Sequence, residues 1–182
     1  MATQDLTETL ISKETIYQGR ILEVERWEAR LPNGAFAQRE IVRHRGAAAV
    51  VALDQAGRVA LVRQYRCPLE RLTLEIPAGK LDTPGEDPLA CARRELREET
   101  GLCARSWQLL TPMLSTPGFC DEVIHLFLAR GLSQGGSAPD ADEFLAVAWL
   151  PLDEAVARVM EGKLQDAKTA LGLLMARHLI NG

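Results

Sequence analysis

GKLDTPGEDPLACARRELREETGL, Gly79 to Leu102, joins a turn-rich loop to a densely charged run. Its second half, Asp87 to Thr100, predicts one helix, because Pro88 suits a first turn and Gly101 falls where a C-terminal cap belongs. At about 100° of rotation per residue, Glu95, Glu98 and Glu99 share roughly a quarter of the helix circumference. Leu89, Ala92 and Leu96 fill the neighbouring arc and can dock the helix on a core, while Arg93, Arg94 and Arg97 take most of the remainder. A solvated, salt-bridged surface would explain the charges but not their sorting. Acids spaced for mutual repulsion on one face suit a divalent cation.

The same residues carry a family resemblance. Gly79, Glu86, Arg94, Glu95, Leu96, Glu98, Glu99, Gly101 and Leu102 resemble the Nudix box, G-x5-E-x7-R-E-U-x-E-E-x-G-U with U aliphatic. One departure stands before the helix: six residues, KLDTPG, separate Gly79 from Glu86 where the pattern has five. From Glu86 onward the spacing is intact. The resemblance implies metal ligation by Glu95, Glu98 and Glu99 together with the backbone carbonyl of Ala78, and a role for Arg94 in orienting a box glutamate.

With 182 residues, 47% of them hydrophobic, the chain fits one main domain with a substantial core and a small N-terminal appendage. A net charge of −4 supplies no basic footprint for nucleic acid, so metal ions and local arginines would have to meet an anionic substrate. The four cysteines, Cys67, Cys91, Cys103 and Cys120, lack zinc spacing and read as free, mostly buried thiols of a reducing compartment. No apolar run is long enough to cross a membrane and the first ten residues do not resemble a signal peptide, so a cytoplasmic protein is expected.

Residues 1–13 are polar and poorly patterned, and disorder is expected over part of them. Thr15 to His44 reads as extended hairpins with turns at Gln18-Gly19 and Pro32-Asn33-Gly34, too poor in large apolar residues to stand alone. The main domain opens on the buried-strand run AAAVVAL (47–53) and continues through RVALVRQYR (58–66) and LTLEIPAG (72–79) into the box. CARSWQLL (103–110), EVIHLFLA (122–129) and FLAVAWL (144–150) read as later strands, with Gly131 to Asp142 as a loop. Helices are expected over Leu152–Met160 and Ala167–Leu179. The order implies an α/β protein with a mixed β-sheet between helices. Together with the resemblance, this is a Nudix-type α/β/α sandwich with an N-terminal antiparallel β-hairpin subdomain over 1–45 and the hydrolase domain over 46–182. This segment is expected to lie on the main domain or to exchange across a homodimer, as the resemblance implies for the matching subdomain of the similar subfamily.

A nucleoside diphosphate linkage repels its nucleophile. Mg2+, for which Mn2+ can substitute, offsets that charge by bridging phosphate oxygens while binding few carboxylates. A general base is also needed. The resemblance places it in a loop beyond the box, where PDADEFLAV offers Asp140, Asp142 and Glu143; Glu143 matches best, and an ordinary acidic loop is the alternative. Pro117, fifteen positions after Leu102, with the surrounding STPGFCDE and the earlier EIPAG, resembles the ADP-ribose pyrophosphatase subfamily. Arg43 and Arg66 match phosphate-contacting positions of that subfamily, though either could be a strand-edge charge. Glu75 either contacts substrate or structures its loop. Trp27 and Phe36 are candidates for stacking on adenine or for core packing. The resemblance therefore implies hydrolysis of ADP-ribose to AMP and ribose 5-phosphate. The alternatives are the same hydrolysis of ADP-glucose, GDP-mannose or NADH, and a non-catalytic ADP-ribose sensor. A sensor of that kind usually lacks part of the acidic triad, which this chain retains.

Overall fold

In the computed structural model, which describes residues 5–83, 85–135 and 144–181, the chain opens with three strands, β1 (Thr9–Gln18), β2 (Leu22–Arg30) and β3 (Phe36–His44). They form an antiparallel sheet in the order β1-β2-β3. The second turn closes through Gly34 at φ 84°, whose N–H donates to the Leu31 carbonyl at 2.9 Å. Strand β1 limits the expectation of partial disorder over 1–13, since Thr9–Lys13 is paired although its sequence gives no alternation. The pairing partner supplies the order: Lys13 lies opposite Trp27 and its ammonium bonds Glu25 at 2.7 Å.

Seven further strands follow: β4 (Ala47–Leu53), β5 (Arg58–Arg66), β6 (Arg71–Glu75), β7 (Ala78–Lys80), β8 (Leu102–Leu114), β9 (Val123–Gln134) and β10 (Ala146–Pro151). The sheet runs β10-β5-β4-β9-β8, with β6 on β5 and β7 on β4. It is mixed, because β4 and β9 are parallel while β5 is antiparallel to β4, β6 and β10. Helices α1 (Pro88–Thr100), α2 (Leu152–Met160) and α3 (Ala167–Asn181) complete the fold.

The apolar run of β4 decides the layering. Ala47, Ala49, Val51 and Leu53 join a core with Leu152 and Ala155 of α2 and Leu173 and Ala176 of α3. Ala48, Val50 and Ala52 point the other way and pack with Cys91, Ala92 and Leu96 of α1. A strand covered on both faces needs no polar alternation, which explains its unbroken hydrophobicity. Ala48, Ala52, Ala60 and Ala92 are small, so α1 can approach the sheet closely.

By contacts the chain divides into two compact units, Met1–Arg45 with Leu114–Glu122 and Gly46–Met113 with Val123–Gly182. Segment 114–122 thus groups with the N-terminal strands: the Val42 N–H donates to the Phe119 carbonyl at 2.7 Å and the Asp121 N–H returns to the Val42 carbonyl at 3.1 Å. Two further expectations need correction. Gly131–Gln134 continue β9 rather than opening a loop. Of the four free cysteines only Cys91 is buried, while Cys67 and Cys103 are exposed. In β8 the period-2 alternation gives the buried face to Leu102 and turns the neighbouring Cys103 outward.

Candidate active site

Helix α1 begins as its sequence requires. Asp87 is the N-cap, its carboxylate accepting from the N–H groups of Leu89 and Ala90 at 3.3 and 3.2 Å, and Pro88 occupies the first turn. It ends at Gly101, φ 71°, whose N–H donates to the Arg97 carbonyl at 2.9 Å. Full burial of Leu96 anchors the helix and contributes about 2 kcal/mol. With that face fixed, the arc bearing Glu95, Glu98 and Glu99 turns toward β7 and the residues just before it. Glu95 and Glu99 are buried, and Glu98 is partly exposed.

Both buried glutamates rest on Ala78 and Gly79. The Ala78 N–H donates to Glu99 Oε2 at 2.9 Å. Gly79 lies directly beneath the Glu95 carboxylate, so closely that a Cβ added at this position would stand 2.0 Å from its Cδ. The glycine is therefore required by a close approach and not by its backbone angles, since its φ is not positive. Arg94 Nη1 donates to Glu95 Oε1 at 2.6 Å and to Glu98 Oε2 at 3.2 Å, and Nη2 to the Lys80 carbonyl at 3.1 Å. Glu86 and Asp82 approach the same guanidinium at 3.6 and 3.4 Å. Burial works against the Arg94 charge, but the adjacent Glu95 carboxylate outweighs it and the pKa is raised. Glu86 also accepts from the Asp82 N–H at 2.6 Å, so the loop with the extra residue still returns this acid to Arg94. The Cys91 thiol sits under the same segment, pushed up to about 12 by burial first and by Glu95 second, and is inert at neutral pH.

Upstream of Ala78 lies a buried polar network. Arg66 grips Glu75 with two bonds, Nε to Oε1 at 2.8 Å and Nη2 to Oε2 at 2.6 Å. Thr73 Oγ1 donates to Glu75 Oε1 at 2.6 Å, and Lys168 Nζ donates to Glu75 Oε2. Burial would raise the Glu75 pKa, yet the hydrogen bonds from Arg66 and the charge of Lys168 prevail and hold it at about 2. These contacts hold the Glu75 carboxylate between β5, β6 and the start of α3. Lys168, Asp166 and Thr169 belong to no motif of the sequence. A signal was present, however, because a lysine in the first turn of a helix opposes the helix dipole and needs an acid nearby.

Arg43 and Pro117 belong to the smaller unit. Arg43 pairs with Asp121 Oδ2 at 2.8 Å and Glu25 Oε2 at 3.4 Å, and lies 5.7 Å from the centre of the Trp27 ring. Pro117 is exposed in a turn in which the N–H groups of Phe119 and Cys120 both donate to the Thr116 carbonyl. Phe36 is 63% exposed and Trp27 half-buried, so Phe36 is not a core residue. Glu143, with Asp140 and Asp142, lies outside the described residues.

Among the described residues no three acidic, histidine or cysteine side chains close into a metal-holding cluster, and Arg94 pairs with both Glu95 and Glu98. The donor chemistry nonetheless fits a hard divalent cation. It is all oxygen, and four carboxylates, those of Asp82, Glu86, Glu95 and Glu98, lie 2.6–3.6 Å from one guanidinium, leaving negative charge in excess. Glu95, Glu98, Glu99 and the Ala78 carbonyl would hold the ion.

A mixed sheet lies between helices, and an acidic helix face rests on Gly79; comparison with known proteins identifies the class of protein that carries this arrangement. The NUDIX domain model matches residues 42–171, and the chain belongs to the Nudix family. It is a Nudix hydrolase by this membership, and such enzymes generally use divalent metal ions. The chain is 44% identical to a methanol dehydrogenase activator of Bacillus methanolicus over 91% of its own length and 90% of that protein. It is 42% identical to an ADP-ribose pyrophosphatase of Bacillus subtilis over 93% and 92% of the two chains. The crystal structure of an ADP compounds hydrolase shares the fold with a TM-score of 0.86 at 24% identity, covering 99% of this chain and 98% of that one. Among the described residues no helix is long and apolar enough to cross a membrane.

Proposed function

We propose that this protein hydrolyses the pyrophosphate bond of ADP-ribose to AMP and ribose 5-phosphate with Mg2+, or Mn2+ in its place. The observation that carries this reading is the gathering of Glu95 and Glu99 over Ala78–Gly79, with Arg94 tying Glu95 to Glu98. Bound there, the cation would neutralise phosphate charge and help align the attacking and departing oxygens. Glu95, Glu98, Glu99 and the Ala78 carbonyl would hold it, and Arg94 orients Glu95 and Glu98. Water attacks one phosphorus, the bridging P–O bond breaks, and Glu143 accepts the proton released. Arg66 and Glu75 are the substrate-binding residues assigned to the larger unit, and Arg43 and Pro117 those of the smaller. The substrate assignment is supported by the ADP-ribose pyrophosphatase relative at 42% identity.

A panel of ADP-ribose, ADP-glucose, GDP-mannose and NADH, with Mg2+ and products weighed by mass spectrometry, tests the reading. The highest kcat/KM belongs to ADP-ribose, giving AMP and ribose 5-phosphate. A preference for GDP-mannose would move the protein toward its relative in Yersinia enterocolitica, a GDP-mannose pyrophosphatase 34% identical to this chain. ADP-ribose binding without cleavage of any compound would instead favour the sensor. The relative named as a methanol dehydrogenase activator supports a second reading, in which the protein raises the turnover of a partner dehydrogenase. Stimulation of such an enzyme by the added protein tests it.

A further inference from the structure

Between β6 and β7 the chain leaves the sheet for two residues, Ile76 and Pro77, both fully buried. Pairing of β6 with β5 ends at Glu75 opposite Val62, so the Ile76 N–H is beyond the strand ladder and needs another acceptor. Thr169 of α3 provides it: Oγ1 accepts the Ile76 N–H at 2.9 Å and itself donates to Asp166 Oδ2. Asp166 also takes the Thr169 N–H at 3.0 Å and Lys168 Nζ at 2.9 Å, and Lys168 reaches Glu75. Thr169 is wholly buried and Lys168 nearly so.

Five consecutive residues are thereby fastened from three sides. Glu75 and Ile76 are held by the first turn of α3; Pro77 accepts the Val50 N–H of β4 at 2.9 Å; Ala78 and Gly79 meet Glu99 and Glu95 of α1. Proline has its φ locked, so fewer free backbone torsions separate Ile76 from Ala78. Ile76 and Thr169, like Glu75 and Lys168, are 93 positions apart in sequence.

We infer that Thr169, braced by Asp166 and seconded by Lys168, is a positioning residue for the metal-binding segment. It sets where the Ala78 carbonyl stands relative to the carboxylates of α1. The inference rests on the metal-site reading given above.

Mn2+ binding to the substrate-free protein, followed by the EPR signal of the free ion, is measured for wild type, Thr169→Val and Thr169→Ser, with kcat and KM on ADP-ribose alongside. The isosteric valine removes the hydroxyl, which accepts from the Ile76 N–H and donates to Asp166, and keeps the side-chain volume. It weakens Mn2+ binding about 10-fold and lowers kcat in proportion with little change in KM, and serine restores both. If the valine variant does not fold, Thr169→Ala, which leaves room at the Ile76 amide, is read in its place. A merely structural threonine would lower the melting temperature and leave the Mn2+ affinity of the folded protein unchanged, and that result overturns the inference. So does a serine variant that behaves like valine. Because the Mn2+ comparison needs no substrate, it decides the matter even if ADP-ribose proves not to be hydrolysed.

Discussion

Replacing Gly79 by alanine isolates the contact on which the acidic site is built. The new methyl carbon would stand 2.0 Å from both Cδ and Oε1 of Glu95 and 2.4 Å from Oε2. Ordinary carbon contacts are about 3.5 Å, so the carboxylate has to withdraw by roughly 1.5 Å. The backbone is not the obstacle, since the φ of Gly79 is not positive. Glu95 is the yielding partner because its carboxylate ends a flexible side chain, but moving it disturbs the 2.6 Å bond to Arg94 and, through that guanidinium, Glu98. Overpacking of this kind costs about 1–3 kcal/mol of stability, which a domain of this size should survive. The functional loss is larger, because a misplacement of about 1 Å in a reacting constellation lowers the rate on the order of 100-fold. Thermal unfolding, Mn2+ affinity and kcat/KM on ADP-ribose together separate these effects. A Gly79→Ala protein within threefold of wild type in kcat/KM, as an estimate of what ordinary variation allows, would refute the reasoning.

Glu99→Gln keeps an acceptor for the Ala78 N–H, so the melting temperature should hold while kcat falls by more than the roughly 10–100-fold typical of groups that only support a ligand; normal turnover would remove Glu99 from the ligand set. Glu75 has a folded pKa of about 2 against an ordinary 4.5, a difference that corresponds to about 3 kcal/mol. Because the folded value is the lower one, this contribution is complete above about pH 4.5 and disappears as pH falls through about 2. Urea unfolding across that window should show a steeper loss for wild type than for Glu75→Gln, which is also weaker at neutral pH because Lys168 and Arg66 lose a charged partner. Parallel profiles would contradict it. Strand β1 is exposed along its whole length and carries Leu10, Ile11, Ile16 and Tyr17, so we expect a homodimer through the N-terminal strands; sedimentation showing a monomer at micromolar concentration would exclude it.

What could be read from the sequence and what could not differ in the range of the interactions involved. Helix α1 is determined within its own residues: Asp87 caps it, Gly101 ends it, and the 3.6-residue period alone gathers Glu95, Glu98 and Glu99. Strand β4 is equally local, because an unbroken apolar run already implies cover on both faces. Thr9–Lys13 was illegible for the opposite reason, as every residue of β1 is exposed and only its partner β2 orders it. The same distinction runs through the site. Gly79 appears in the sequence as one letter of a motif, yet its reason is a carboxylate 16 positions later, and Ile76 is held by a hydroxyl 93 positions later. The proposed carboxylate ligands are thus written in one helix, while their proposed geometry depends on β4, α1 and α3 closing on residues 75–79. An intact box is for that reason a weaker guarantee of activity than it looks. A chain could keep Glu95, Glu98 and Glu99 and still lose the geometry through Thr169 or Lys168, residues that no box pattern contains.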